Sequence, residues 1–470
     1  MGTARWSSRL GFLLATVGAA VGLGNIWRFS AVVGANGGGA YLVPYLLAAV
    51  VCAIPLLILE LAIGRSLRTD VVSAFRSVDR SFAVLGWIVV GGVLLMQSYY
   101  LVLTGWVLGF LASWLAGSST TFAAFTDGWL PVAYFVVVTT LAGGVVSLGV
   151  RDGIERMSRL VMPTVFVILL GLVAYGTTLD AWGQAVGFLF TPDVSVLDDP
   201  GLWSAAFGQV FFSLSVGQGI MLTYGSYVED DTDLTRSALL IAVADIGAAL
   251  LAGLVIFPIV FSFGLQPTLG TELAFTTLPA AFATMPFGRP IAVAFFGLLF
   301  FAALSSAVAL LEVGVAAATS TTRLDRSRAT RGLTVGVFLL GTPSALSYSP
   351  VDLAVAGRPV LDLIDQSVGT YALPISALLL TYVFLWATTI DGVRADLGRL
   401  YPLVRYVTPA LLLAVTLAKL LGVARPAWRL LLGSNGAGSL RFVVAVVALV
   451  AAGFAGRSLR DRRRERGGGR

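Results

Sequence analysis

The chain has no histidine, one cysteine and one lysine, and charged residues fill only 12% of its 470 positions. Without histidine there is no imidazole to ligate a transition metal or to serve as a general base near neutral pH. A single thiol, Cys52, can close no internal disulfide and form no CxxC pair. No nucleophile–base set and no cofactor motif stands out, so the chain does not read as an enzyme. The scarcity of charge is the most restrictive absence. Soluble domains carry about 25% charged and roughly 45–50% apolar residues. Here the apolar share is 57% and mean hydropathy is +0.90. That much apolar surface cannot all be hidden from water, so the solvent is lipid. The net charge of +6 does not point to nucleic acid, because the arginines gather at the ends of apolar runs.

Twelve apolar runs of about 20 residues are bounded by charge. They lie near 10–33, 41–63, 83–115, 130–149, 160–178, 203–228, 237–263, 290–319, 332–349, 367–390, 406–424 and 439–456. The first is too long for a signal peptide and has no small-x-small cleavage site. With the N-terminus inside, most arginines fall on inner segments, including the tail from Arg457. The positive-inside rule then puts both termini in the cytoplasm of a multi-pass cell-membrane protein. Segment 264–289 is too polar to span and reads as a helical hairpin over the outer face, a lid.

Two spans are interrupted. The first holds Gly18, Gly22 and Gly24 around Asn25, and the sixth holds Ser213, Ser215, Gly217 and Gly219. Glycine costs about 1 kcal/mol in a helix interior. Unwound backbone at mid-membrane depth needs protein, ligand or ion partners, since lipid offers none. Close helix packing through small residues is the competing reading. The clusters stand at corresponding places in two five-span halves, which marks a binding site at an inverted-repeat interface. The expected organisation is a first repeat over 1–180, a second over 181–400 carrying the lid, spans eleven and twelve over 401–456, and a basic cytoplasmic tail over 457–470.

Asp245 lies deep in the seventh span, where a carboxylate costs about 2.5–3.5 kcal/mol on insertion scales. No arginine occupies a neighbouring mid-span position, so a bound cation or a proton neutralises it. Ser305 and Ser306 sit together in the eighth span, where serines often only back-bond to their own helix. With Asn25 and Ser213 they complete a hard-oxygen inventory suited to an alkali cation and not to a transition metal. Glu60 and Glu312 lie nearer span ends, and a structural hydrogen-bonding role competes there with one in transport.

The stretches "WSSRLGFLLATVGAAVGLGNIWRF", "NGGGAYLVPYLL" and "GQVFFSLSVGQG" resemble the neurotransmitter:sodium symporter family, in particular its prokaryotic amino-acid transporters. The likeness runs from Trp6 to about Pro409. It implies an all-α, twelve-span membrane protein with a 5+5 inverted repeat, the leucine-transporter-like fold, unwound in helices 1 and 6. It also implies a symporter that imports a small neutral amino acid with Na⁺, two ions in all, by alternating access.

The resemblance carries residues with it. A first sodium site would use the Ala20 carbonyl, Asn25, Ser213 and Asp245. A second would use carbonyls of Gly18, Val21 and Ala302 with the hydroxyls of Ser305 and Ser306. The substrate would meet Ala20, Leu23, Gly24, Tyr100, Phe212 and Ser213. Met96, Phe212, Ser215, Gln218, Ser306 and Leu310 would line its side-chain pocket. Arg28 and Asp365 resemble an outer gate pair with Gln209 alongside, and Trp6 and Tyr227 match inner-gate positions. Glu60 matches a brace to the sixth helix, and Glu312 is given a bracing role too.

Some positions depart from the family pattern. Ala249 stands where the chloride site usually has a serine, and Asp245 stands where many members have Asn. Chloride is therefore not expected. Gly22 replaces the acid of monoamine carriers, which favours a substrate bringing its own carboxylate. An inner Arg–Asp pair of some relatives is replaced by Thr3 and Ser320, so that latch is either absent or rebuilt, with Arg5 as the candidate. Gln218 stands where a leucine-carrying member has an aromatic residue, which weakens a purely aliphatic choice of substrate. Two alternatives stay open: a proton- or exchange-driven amino-acid carrier of the same architecture, and a non-transporting membrane sensor. No nucleic-acid partner is implied, and nothing specifies an oligomer.

Overall fold

The computed structural model describes residues 5–192, 194–265 and 273–420. Among these the chain is almost entirely helical; a small hairpin pairs Ala354–Val355 with Arg358–Pro359. Seven helices are long and apolar enough to cross a membrane: Gly38–Leu67, Arg80–Leu115, Leu130–Ser147, Val150–Gly176, Leu234–Ser262, Gly288–Thr321 and Val360–Ala387. An eighth candidate is a bent pair, Arg9–Ala20 and Gly24–Ala35, with 53° between its halves. Pro200–Ser213 and Ile220–Gly225 are separated by a non-helical stretch. Arg326–Leu346 is long enough but opens with a charged turn, and Thr408–Leu420 follows a short turn of helix. These elements account for eleven of the twelve apolar runs. The last run, 439–456, the end of the eleventh, the tail 457–470 and Thr3 lie outside the described residues.

Several of the acids cap helix starts. Asp70, Asp199, Asp233 and Asp325 each accept a hydrogen bond from an amide of the first turn, as do Ser8 and Thr121. A short polar side chain there satisfies donors that no preceding turn can reach.

Packing inside the bundle depends on close backbone approach. A Cβ on Gly64 would come within 2.0 Å of the Leu222 carbonyl oxygen, and one on Gly225 within 2.6 Å of the Leu61 carbonyl oxygen. The second span thus lies directly against the inner half of the sixth. Gly64→Ala should lower stability by about 1–3 kcal/mol, because backbone must move to admit the methyl group. The check is thermal unfolding of the detergent-solubilised protein, where an unchanged midpoint would contradict this packing.

Outside the spans, the structure adds two helices to the sequence reading. Within 264–289, where a helical hairpin was expected, the described residues 273–289 form a single helix, Leu273–Thr284, leading into the start of the eighth span. Phe275 from that helix packs against Trp27, Trp106, Phe110 and Phe122 at ring distances of 5.3–5.8 Å. These ring contacts anchor Leu273–Thr284 to the bundle. A nine-residue helix, Trp182–Phe190, was not anticipated, because a search for 20-residue spans passes over one so short. Its Phe188 docks on Phe257 and Phe261 of the seventh span at 5.0 and 5.3 Å.

Candidate functional site

Both broken helices open at the centre of the bundle. In the first, helical geometry ends at Ala20, Val21 turns to φ −73°, ψ 106°, and the Gly22 amide donates to Asn25 Oδ1 at 3.0 Å. A Cβ on Gly22 would fall 2.6 Å from Ser306 Oγ and 2.8 Å from the Tyr100 hydroxyl, so a bulkier residue, an acid included, does not fit there unless its neighbours move. In the sixth, Ser215, Gly217 and Gly219 take left-handed backbone with φ of +52°, +81° and +70°. Ser215 pays for that conformation with a hydrogen bond from its Oγ to the Ala19 carbonyl at 3.0 Å. Glu60 Oε1 accepts from the Gly217 amide at 2.5 Å. Glu60 thus answers one of the donors that the missing helical turn leaves open.

Asn25, Ser213 and Asp245 meet in one fully buried cluster. Asn25 Nδ2 donates to Ser213 Oγ at 2.7 Å, to Asp245 Oδ1 at 2.6 Å and to the Asp245 carbonyl at 3.2 Å. Ser213 Oγ donates to Asp245 Oδ2 at 2.8 Å. Among the described residues no arginine or lysine forms an ion pair with Asp245. Sequence reasoning missed Tyr45, a buried residue whose hydroxyl lies beside Ser213. A tyrosine in an apolar run reads as core, so nothing flagged it. Ala249, one turn beyond Asp245, is fully buried and brings only a methyl group.

A second oxygen group links the first and eighth spans. Ser306 Oγ donates to the Gly18 carbonyl at 3.4 Å and to the Ala302 carbonyl at 3.3 Å, while Ser305 Oγ donates to Ala302 at 2.8 Å. Between the two groups lies a cavity of about 20 Å³, lined by residues that include Ala20, Gly24, Met96, Tyr100, Phe212, Ser215, Gln218, Ser306 and Leu310. The Leu23 amide donates to the Tyr100 hydroxyl at 3.3 Å.

Tyr100, Phe212 and Gly24 also floor a larger vestibule of about 520 Å³, reached on the side where Arg28 and Asp365 lie. Among the described residues these two form no ion pair; the Arg28 guanidinium sits over the Phe212 ring, 4.4 Å from its centroid. Gln209 is buried, its Nε2 donating to the Gly24 carbonyl at 2.7 Å.

The opposite end is closed. The Trp6 indole donates to the Tyr224 carbonyl at 3.0 Å, and its ring meets Tyr224 and Tyr227 edge-on at 5.2 and 5.9 Å. Tyr227 donates to Glu312 Oε1 at 2.8 Å, and Arg326 grips both oxygens of Glu312 at 3.0 and 2.6 Å. Ser7 donates to Glu155, which also pairs with Arg159. Arg65 pairs with Asp396 and Arg68 with Asp230, and the Arg68 bond holds the Asp230 carboxyl below its ordinary value. Ser320 donates to Asp70. Arg326 was also missed, because an arginine at a span end reads as topology alone.

Residues 3–123 and 129–421 match the Sodium:neurotransmitter symporter family. The chain belongs to that family. Among sodium:neurotransmitter symporters it is 36% identical to a sodium-dependent transporter of Bacillus subtilis over 80% of this chain and 86% of that one. It is 33% identical to a sodium-dependent transporter of Methanocaldococcus jannaschii, with 84% of each chain covered. The sodium- and chloride-dependent GABA transporter 2 of Bos taurus matches at 26% over 89% of this chain and 80% of that one. The solved structure of MhsT in complex with L-phenylalanine superimposes with a TM-score of 0.82 at 37% identity, covering 89% of this chain and 100% of that one. The protein is therefore a multi-pass, sodium-dependent membrane transporter of the leucine-transporter-like fold, and not an enzyme.

Arg28→Ala should slow transport about tenfold while leaving equilibrium binding nearly intact, since the lost ring contact and the screened charge lie above the cavity. Uptake rate and sodium-dependent binding measured on one preparation check this. Equal losses in both would contradict a gating role.

Proposed function

We propose that the protein couples inward Na⁺ flow to uptake of a small neutral amino acid by alternating access, without chloride. The observation that carries this reading is a buried carboxylate, Asp245, joined to Asn25 and Ser213 with no basic partner and set beside two broken helices. A cation in a low-dielectric site needs nearby negative charge, and Asp245 supplies it within the protein. Asn25, Ser213, Asp245 and the Ala20 carbonyl hold one ion. Gly18, Val21, Ala302, Ser305 and Ser306 hold a second.

The substrate's carboxylate meets the first ion, the Tyr100 hydroxyl and the amides of Leu23 and Gly24. Its amino group meets the freed carbonyls around Phe212, Ser213 and Ser215. Support for an amino-acid substrate comes from MhsT, whose complex holds L-phenylalanine, and from Gly22, where an acid would crowd Ser306 and Tyr100. The Arg28 end faces outward, with Tyr100 and Phe212 as the inner floor of the entry path. Trp6, Tyr227, Glu312 and Arg326 keep the cytoplasmic path shut until both ions and substrate are seated. The arginine-rich inner segments put both termini in the cytoplasm of the cell membrane. The two repeats, 1–180 and 181–400, rock about the fixed site. Each inward sodium charge contributes about 2.3 kcal/mol per 100 mV of membrane potential.

The test is accumulation of radiolabelled amino acids in proteoliposomes under an imposed Na⁺ gradient. Concentrative uptake that vanishes when the gradient is collapsed is the expected result. Uptake that follows a proton gradient and ignores Na⁺ would favour the proton-driven alternative, and binding without accumulation would favour a sensor.

A further inference from the structure

Among the described residues lining the central cavity, one buried side-chain atom has no hydrogen-bond partner. Gln218 is 1% exposed and lines the cavity, and its Nε2 has no hydrogen-bond partner. The other polar side chains there are engaged. Ser215 Oγ donates to the Ala19 carbonyl, Ser306 Oγ to Gly18 and Ala302, and the Tyr100 hydroxyl accepts from the Leu23 amide. The rest of the wall around Gln218 is apolar, with Met96, Ile220 and Leu310, and no charged residue lines the cavity.

A buried amide without a partner loses its water and gains nothing in return, a loss that a ligand group can make good. The backbone that carries Gln218 is tied down on both sides. The Gly217 amide is bonded to Glu60, and a Cβ on Gly217 or Gly219 would fall 2.8 Å from the Leu373 carbonyl oxygen or 2.5 Å from a Val71 methyl group. An aliphatic ligand would cover the amide and leave it unpaired. A ligand with a hydroxyl or carboxamide would pair with it, since the amide offers a donor at one end and an acceptor at the other. A charged side chain would find no counter-charge in the wall.

We propose that Gln218 selects amino acids whose neutral side chain carries a hydroxyl or carboxamide, such as threonine, serine, asparagine and glutamine, over apolar amino acids of the same shape. This rests on the amino-acid transport reading above and names its substrate class. Sites built to hydrogen-bond a substrate group discriminate strongly against analogues that lack it, because the unmatched polar group stays buried.

The experiment is sodium-driven uptake into proteoliposomes of the full-length protein, using labelled threonine against valine and asparagine against leucine. Each pair is close in shape and differs in polarity. Threonine and asparagine should be taken up at least about tenfold more efficiently than their apolar counterparts. In Gln218→Leu that ratio should fall to near one or invert, with folding verified by sodium-dependent thermal stabilisation. Valine and leucine matching or exceeding the polar partners in the wild type would overturn the inference and leave sodium-coupled transport standing. So would an unchanged ratio in a folded Gln218→Leu protein. Absence of sodium-driven uptake for every amino acid would instead bring down the transport reading and this inference with it. If Gln218→Leu does not fold, the wild-type ratios alone decide.

Discussion

Asp245→Ala should abolish sodium-driven uptake while leaving the purified protein folded. The substitution removes the one carboxylate of the cluster, together with the bonds it accepts from Asn25 and Ser213. Asn25 keeps its bonds to Ser213 Oγ and to the backbone carbonyl of residue 245, so the cluster is trimmed and not emptied. What disappears is charge. Removing one member of a buried charge pair typically costs about 3–5 kcal/mol. Sodium affinity at this site should therefore drop by about two to three orders of magnitude. Sodium titration of thermal stability and of uptake, run on one preparation, reads both effects. Asp245→Asn combined with Ala249→Ser tests the same idea in the other direction. It restores a neutral site with a hydroxyl one turn away, and uptake should then require chloride. Retention of full sodium-driven uptake by Asp245→Ala in chloride-free buffer would contradict the role assigned to this carboxylate.

The double substitution Ser305→Ala and Ser306→Ala should raise the sodium concentration needed for half-maximal uptake at least about tenfold, with the helix intact. Both hydroxyls back-bond within their own helix, to Ala302, and that alone is what many membrane serines do. A purely back-bonding role predicts a modest stability change and an unchanged sodium requirement. Ser306 does more, because its hydroxyl also reaches the Gly18 carbonyl across to the first span at 3.4 Å. If, as proposed above, two hydroxyls and three carbonyls from two spans hold a sodium ion, removing two of the five ligands should collapse that site. Unchanged sodium dependence in the double variant would return these serines to the back-bonding role.

Much of this site could be read from sequence because lipid makes polarity expensive. A lone acid in the seventh span and glycines in the first and sixth stood out against apolar surroundings, and the fold brings Asn25, Ser213 and Asp245 into hydrogen-bond contact. Tyr45 and Arg326 were not legible, for a related reason. Tyrosine is common in apolar runs, and arginine is common at span ends, so neither violates a local rule. Their roles arise from contacts across the fold: Tyr45 with Ser213, and Arg326 with Glu312, 14 residues away along the chain. Trp6 and Tyr227 pack together as a pair of inner residues would, and beside them Arg326 pairs with Glu312 while Ser320 donates to Asp70, contacts that the sequence did not suggest. Arg28 and Asp365 line one vestibule, and within it the structure seats Arg28 over Phe212, a contact that charge complementarity alone does not suggest. A ring face and a carboxylate both attract a guanidinium, and only geometry separates them.

The most direct test of the account is initial-rate uptake in proteoliposomes under a fixed inward Na⁺ gradient, with gluconate replacing chloride on both sides. The Asp245 carboxylate makes an added anion unnecessary, so the wild-type rate should be the same in both salts. A strong loss of uptake in gluconate would contradict that, and would mean the first sodium site draws its negative charge from solution and not from the protein.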